Sequence, residues 1–363
     1  MPHPLALCIT PGDPAGIGPE IVAKAFAQAP DVLRGCFCVG DVALMRRASA
    51  LAGDGVAQLP VAQLASAGAA WDAPPRCLPV LPLPGAELQK NTDSLSNSEL
   101  LAHIPYGLLA KNAGKFSVDC VTWAARAALR GEVAALVTAP IHKEAWALAG
   151  VPFAGHTELL QSQAALHARC SVAEMPVRMM LANEELRTVL VSIHLSLKDA
   201  LAAVTHDNVL QTLRITHASL LKILGRAPRI AVAGLNPHAG EGGLFGREEI
   251  DTINPAIAAA RAQGIDAHGA LAPDTVFMRS RGFARFDVVV AMYHDQGLIA
   301  VKYLGVDKGV NVTLGLHDGQ GRALVRTSPD HGTAFDIAGQ GVADAASLIE
   351  AVRQAKRLLG WPD

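Results

Sequence analysis

Short runs of consecutive apolar residues alternate along this chain with longer stretches in which apolar positions recur at helical spacing. LALCIT (Leu5–Thr10) is apolar almost throughout and stops at Pro11-Gly12, which predicts a strand buried on both faces. PEIVAKAFAQA follows as a helix, with Pro19 suited to its first turn and Glu20 near the positive end of its dipole. GCFCVGD predicts a second strand, and VDCVTWAARAALRGE (Val118–Glu132) a helix leading into the strand VAALVT. From there the alternation is regular: RTVLVSI, a long helical stretch past Asp207, RIAVAGL, a helix over Glu248–Ala262, then FDVVVAM. The stretch Gly53–Asn97, rich in Pro, Ala, Gly and Ser, reads as irregular surface structure around one short strand. Strands separated by helices predict an α/β fold with a parallel or mixed sheet covered on both faces.

Length and composition narrow this picture. A chain of 363 residues suggests two domains or one large α/β unit. Lys and Arg number 31 against 33 Asp and Glu, with no long run of either sign, so the concentrated basic face of a nucleic-acid binder is absent. Aromatic residues make up 4%, too few for base-stacking platforms. Mean hydropathy is +0.27, but it comes from many short runs, none of which approaches the ~20 apolar residues of a membrane span. The N-terminus lacks the basic start of a secretory signal, and the six cysteines form no CxxC pair. A cytoplasmic protein with no membrane or nucleic-acid partner is expected.

Candidate chemistry gathers where strands end. RTVLVSI is followed by His194, RIAVAGL by Asn236-Pro237-His238, and FDVVVAM by Tyr293-His294-Asp295. Open α/β sheets bind ligands beyond the carboxyl ends of their strands. Three imidazoles brought to that edge make a plausible divalent-metal site, and structural histidines are the competing reading. VAALVT ends in Ala139-Pro140-Ile141-His142-Lys143, where Lys143 suits an anionic substrate, acid/base work or plain solvent exposure. The loop Asn236–Glu249 holds four glycines, which permits positive φ and close approach to a ligand. GDPAGIGPE (Gly12–Glu20) joins a strand to a helix, so its amides suit an anion. It is neither G-x-G-x-x-G nor a Walker loop. In GHTE, Thr157 serves as a helix cap, or His156 and Thr157 offer polar groups to a substrate. Lys302, Asn311 and Arg326 lie on or near short apolar strands and suit carboxylate or phosphate, with solvated surface as the alternative.

Taken in order, ITPGDPAGIGPE, TAPIHKE, GHTELL, NPHAGEGGLFGREE, APDTVF, YHDQGLIAVKY, GVNVTLGL and RTSPDHGTAFDIAG resemble the 4-hydroxythreonine-4-phosphate dehydrogenase family over nearly the whole chain. The resemblance implies two α/β/α domains of the isocitrate/isopropylmalate dehydrogenase type with an active site in the interdomain cleft. The expected domains are 1–138 with 325–363, and 139–324. It implies a homodimer whose metal site is shared between partners, an NAD (or NADP) cofactor, and one divalent Zn, Mg or Co ion per site. By resemblance the metal ligands are His194, His238 and His294, and the substrate contacts are His156, Thr157, Lys302, Asn311 and Arg326. Asp295 and Lys143 are the candidates for proton transfer. The implied reaction oxidises 4-phosphooxy-L-threonine to a β-keto acid that loses carbon dioxide, giving 3-amino-2-oxopropyl phosphate for pyridoxal phosphate synthesis. Two departures stand out: HDGQGRALV before Arg326 is longer than expected, and the stretch around Asn91–Lys115 is expanded. Alternatives are dehydrogenation of a D-threonate or D-erythronate 4-phosphate or of a cis-dihydrodiol, and, from other classes, a metal-dependent hydrolase or a phosphometabolite-binding protein.

Overall fold

The structure is a computed structural model describing residues 3–52, 58–84, 101–305 and 309–361. Residues 91–100 of the expanded stretch, and parts of the Pro-rich segment, lie outside the described residues. Two compact units are present: Met1–Met175 with Leu316–Asp363, and Pro176–Gly315.

The first unit contains β1 (Leu7–Thr10), α1 (Gly18–Gln28), β2 (Cys36–Gly40), α2 (Val42–Ser49), β3 (Val61–Gln63), β4 (Leu78–Pro82), α3 (Lys111–Leu129), β5 (Leu136–Thr138), α4 (Lys143–Leu148) and α5 (His156–Ala168). The second contains β6 (Arg178–Ala182), β7 (Arg187–Leu190), α6 (Leu197–Ala203), α7 (His206–Leu224), β8 (Ile230–Ala233), α8 (Asn254–Ala262), β9 (Ala267–Leu271), α9 (Pro273–Ser280), β10 (Val288–Ala291), α10 (His294–Tyr303) and β11 (Val310–Leu314). The chain then returns to the first unit with β12 (Arg326–Pro329) and α11 (Ala346–Leu358).

The sheet of the first unit runs β3-β4-β2-β1-β5-β12, and each pairing is parallel. β1 and β2 are buried throughout, as continuous apolar strands in a sheet covered by helices must be. α1 is held down by polar contacts inside the protein. The Lys24 ammonium donates to the carbonyls of Gly341 and Ala343, both at 2.7 Å, and pairs with Glu20 at 3.0 Å. Glu20, in the first turn of α1 as expected, also accepts from the Ala343 N–H of the returning segment. The Pro-rich segment holds two strands, not one. LPVLP forms β4, between β3 and β2.

The division between units also differs from the expected boundaries at 138/139 and 324/325. Residues 139–175 remain in the first unit because α4 seats on α3. Trp146 is fully buried and donates Nε1–H to Ser117 Oγ at 2.8 Å. Gly114 lies so close under α4 that a Cβ there would come within 2.1 Å of the Ala145 carbonyl oxygen. The long link before Arg326 folds as a small hairpin, bridged between His317 and Ala323, and Arg322 donates to the carbonyls of Ala128 and Leu129 at the end of α3.

The sheet of the second unit runs β11-β6-β7-β10-β8-β9. β7, β10, β8 and β9 are mutually parallel, while β6 and β11 form an antiparallel margin. Its core joins Leu181, Leu190, Val289, Phe286, Leu298 and Val301. At the amino end of β10, Asp287 is 2% exposed and receives Arg226 at 2.7 Å and Arg229 at 3.0 Å. Burial alone would raise its carboxyl, but the two guanidiniums and the Arg229 N–H hold it well below the usual range.

Candidate active site

Polar side chains gather at the carboxyl edge of each unit's sheet. In the first unit, Arg326 opens β12 opposite Leu136 of β5, which puts its side chain within reach of Thr138. Its Nε and Nη2 donate to Thr138 Oγ1 at 3.1 and 2.7 Å. Burial lowers the guanidinium to about 10 while Glu158 opposes the shift, so it stays charged at neutral pH. His156 begins α5 with its ring edge-on to Trp146, centroids 5.6 Å apart. Burial first, then the positive charges of Arg326 and Lys143, hold its imidazole well below the ordinary value. A neutral imidazole therefore sits beside two cations, and its buried Nε2 has no hydrogen-bond partner. Thr157 follows it in the first turn of α5, half-buried. Lys143 and His156 come from neighbouring helices and Arg326 from far along the chain, yet both positive charges act on the one imidazole, and the combination suits a phosphate or carboxylate.

In the second unit the three histidines leave β7, β8 and β10, which are adjacent and parallel with β10 in the centre. The strand-end reading thus places all three on one edge, as expected. They do not all converge. The His194 and His294 rings lie 5.6 Å apart between centroids. His238 instead sits 6.1 Å from the ring of Phe245. Among the described residues, no group of three metal-ligating side chains is gathered. Within one chain His194 and His294 stand as a pair and His238 stands apart from them.

Backbone conformation marks the same positions. His194 has φ +48° and His238 φ +53°, a left-handed region uncommon for residues other than glycine. His238 opens a run of left-handed residues through Gly242. That run is anchored by Glu249, which is 1% exposed and accepts from the N–H groups of Leu235 and Asn236 at 2.7 and 2.8 Å, and from Asn236 Nδ2 at 3.0 Å. Gln296 ties the ends of β8 and β10 together, donating to the Gly234 carbonyl and accepting from Met292 N–H, both at 2.7 Å. Sequence reading missed both anchors; the amide in YHDQG and the paired acids in GREE were the available signals. His294 Nδ1 lies 2.7 Å from Asp295 Oδ1, which leaves Nε2 as the nitrogen available to a metal.

A cavity of about 640 Å³ adjoins His238 and is lined by Asp274, Phe277, Tyr293, Asp295 and Ile299 among others. Lys302 lies half-buried on α10, and Asn311 half-buried on β11 opposite Leu181. Donor chemistry fits a divalent ion: two neighbouring imidazoles, one oriented by a carboxylate, and a third on a strained loop.

These features define a class: an α/β protein of two units, with a cluster of basic side chains on one and a histidine-rich edge on the other. Its sequence matches, over residues 33–355, the family described as pyridoxal phosphate biosynthetic protein PdxA, and the chain belongs to that family. It is 47% identical over 359 residues to the 4-hydroxythreonine-4-phosphate dehydrogenase of Beijerinckia indica, covering 99% of this chain and 96% of the relative. A solved 4-hydroxythreonine-4-phosphate dehydrogenase from Klebsiella pneumoniae superposes with TM-score 0.81 at 35% identity, over 98% of this chain and 99% of that one. A Bradyrhizobium diazoefficiens relative, provisionally named a D-threonate 4-phosphate dehydrogenase, is 40% identical over 97% of this chain and 96% of its own. The protein is an oxidoreductase of this dehydrogenase family.

Proposed function

We propose that this chain catalyses the NAD-dependent oxidation of 4-hydroxythreonine-4-phosphate in pyridoxal phosphate synthesis, as a homodimer with a metal site shared between subunits. The observation carrying the shared site is the split of the histidines: His194 and His294 stand together while His238 does not join them. A second copy supplying its own His238 completes three imidazoles. Five of the six cysteines are buried free thiols, in keeping with the reducing cytoplasm.

His156, Thr157 and Arg326 bind the anionic end of the substrate, with Arg326 oriented by Thr138 and His156 held neutral by burial first and by its cationic neighbours second. Lys302 and Asn311 fix the remaining polar groups, and Asp295, or Lys143 once it has given up its own proton, takes the alcohol proton. Asp295 also orients His294. When bound, the divalent ion (Zn, Mg or Co) supplies a Lewis acid and the nicotinamide supplies the hydride acceptor. Unpartnered buried polar atoms at the carboxyl edge of the first unit fit a cofactor rich in hydroxyl groups.

Subunit mixing tests the shared site. His194→Ala and His238→Ala homodimers should each be inactive, and mixing their subunits should restore turnover through one intact site per heterodimer. Mixed dimers that form but stay inactive would contradict it. The sugar-acid reading rests on the Bradyrhizobium relative, and a preference for D-threonate 4-phosphate would favour it.

A further inference from the structure

The loops after β1 and β5 leave the first sheet side by side, with Thr10 opposite Thr138. From β1 the chain winds through β2 to β4 on one side of the sheet, then reaches β5 on the other side. This pair is therefore the topological switch point, where open α/β sheets form a ligand-binding crevice. The loops are built for close approach. Asp13 N–H donates to the Pro140 carbonyl at 2.9 Å, and Gly12, at φ +74°, lies where a Cβ would come within 2.2 Å of the same oxygen.

Two buried polar atoms at this crevice hold nothing in place. Asp13 is 1% exposed, and its Oδ1 accepts from Ala15 N–H at 2.8 Å, but its Oδ2 has no partner. His142 lies on the opposing loop, near enough to act electrostatically on the Asp13 carboxyl. Its ring stacks on Phe335 at 4.6 Å between centroids, and its Nδ1 is likewise buried and unpartnered. Buried polar atoms are almost always satisfied in folded proteins. A carboxylate oxygen accepts only, whereas an imidazole nitrogen donates or accepts according to tautomer. A pair of neighbouring hydroxyls suits both, one donating to the carboxylate and the other meeting the imidazole in either sense.

We propose that the β1–β5 switch point is the subsite for a ribose diol of the nicotinamide dinucleotide, with Asp13 Oδ2 accepting from one hydroxyl and His142 Nδ1 engaging its neighbour. This rests on the dehydrogenase reading. It also gives the first loop a purpose without a G-x-G-x-x-G motif: the loop contributes a carboxylate for the sugar rather than a glycine cradle for the pyrophosphate.

Dinucleotide binding to the full-length protein, measured by calorimetry, tests it. The ligands are NAD and two analogues, each lacking the 2′ and 3′ hydroxyls on one of its two riboses. Measurements at pH 8 keep Asp13 ionised, since burial lifts its carboxyl only to about 6. Asp13→Asn retains Oδ1 for Ala15 and turns the ligand-facing acceptor into a donor. Wild type is expected to bind one analogue at least about tenfold more weakly than NAD, as is usual when a site built to hydrogen-bond a hydroxyl meets an analogue lacking it. The Asn variant should bind NAD at that lowered affinity and no longer distinguish the two ligands. His142→Phe, which keeps a ring on Phe335 but removes Nδ1, should show a smaller loss on the same analogue. Wild-type indifference to both analogues, or full discrimination by the Asn variant, would overturn the subsite alone. A loss confined to binding of the phosphorylated substrate would also overturn it, by giving Asp13 to the substrate. A wild-type protein that binds no dinucleotide would overturn the dehydrogenase reading along with it.

Discussion

Glu249→Ala is expected to release the loop that carries His238. The carboxylate is 1% exposed beneath that loop and accepts from two successive backbone N–H groups, Leu235 and Asn236, and from the Asn236 amide. Truncation orphans both backbone donors. Each part-buried donor left unpaired costs about 1–2 kcal/mol, so the total is about 3 kcal/mol. The loop also contains three non-glycine residues at positive φ, His238, Ala239 and Glu241, whose conformation is intrinsically unfavourable and persists only while the surroundings enforce it. Hydrogen exchange of the Leu235 and Asn236 amides reads the effect directly. About 3 kcal/mol of lost local stability corresponds to roughly a hundredfold faster exchange. Metal affinity and turnover should fall together, because His238 is no longer held in one place. Glu249→Gln keeps one carbonyl acceptor and should cost about 1 kcal/mol. Unchanged exchange at both amides in the alanine variant, with an unfolding midpoint matching wild type, would refute the anchoring role.

Other substitutions separate binding from stability. Arg326→Ala should raise KM for the phosphorylated substrate by at least about tenfold with a smaller effect on kcat, and Arg326→Lys should restore only part, because an ammonium lacks the two-pronged fit; steady-state kinetics showing an unchanged KM would reject the role. Asp287→Asn breaks the pairs with Arg226 and Arg229 and should lower stability by about 3 kcal/mol in urea unfolding while leaving KM alone. Asp13 makes a pH-dependent contribution of opposite sign. Its folded carboxyl is lifted from 3.8 to about 6, so only the folded state keeps the proton between those values. Stability therefore falls as pH rises through that window, and a cost of about 3 kcal/mol is complete above it. Asp13→Asn should gain on wild type at pH 8 and match it near pH 3.5; an equal difference at both pH values would contradict the shift.

What is legible in the sequence is what local pattern controls. Continuous apolar runs mark β1, β2, β7, β8 and β10 as buried parallel strands, and the residues that follow such runs must leave at the carboxyl edge. For that reason the strand-end pattern by itself puts His194, His238 and His294 on one edge, where the fold has them. Glycine density in NPHAGEGG signals positive φ, though the left-handed residues also include His238, Ala239 and Glu241. Contacts between distant segments leave no such trace. The Ser117–Trp146 bond and the approach of Gly114 to Ala145, which keep residues 139–175 in the first unit, depend on how α3 and α4 pack. The same holds for Glu20, whose partner Ala343 lies more than 300 residues away. β4 is hidden by its prolines, since Pro79 and Pro82 read locally as loop. The separation of His238 from the other two imidazoles follows from the path of a left-handed loop, which spacing does not encode.

The most direct test of the proposed activity is NADH formation by the purified protein with NAD, a divalent metal and 4-hydroxythreonine-4-phosphate, run beside D-threonate and D-erythronate 4-phosphates. Metal-dependent turnover of the amino acid, at a kcat/KM well above that of either sugar acid, is the expected result. Preference for a sugar acid would contradict the assigned substrate while keeping the hydride chemistry, and turnover that survives metal removal would contradict the histidine site itself.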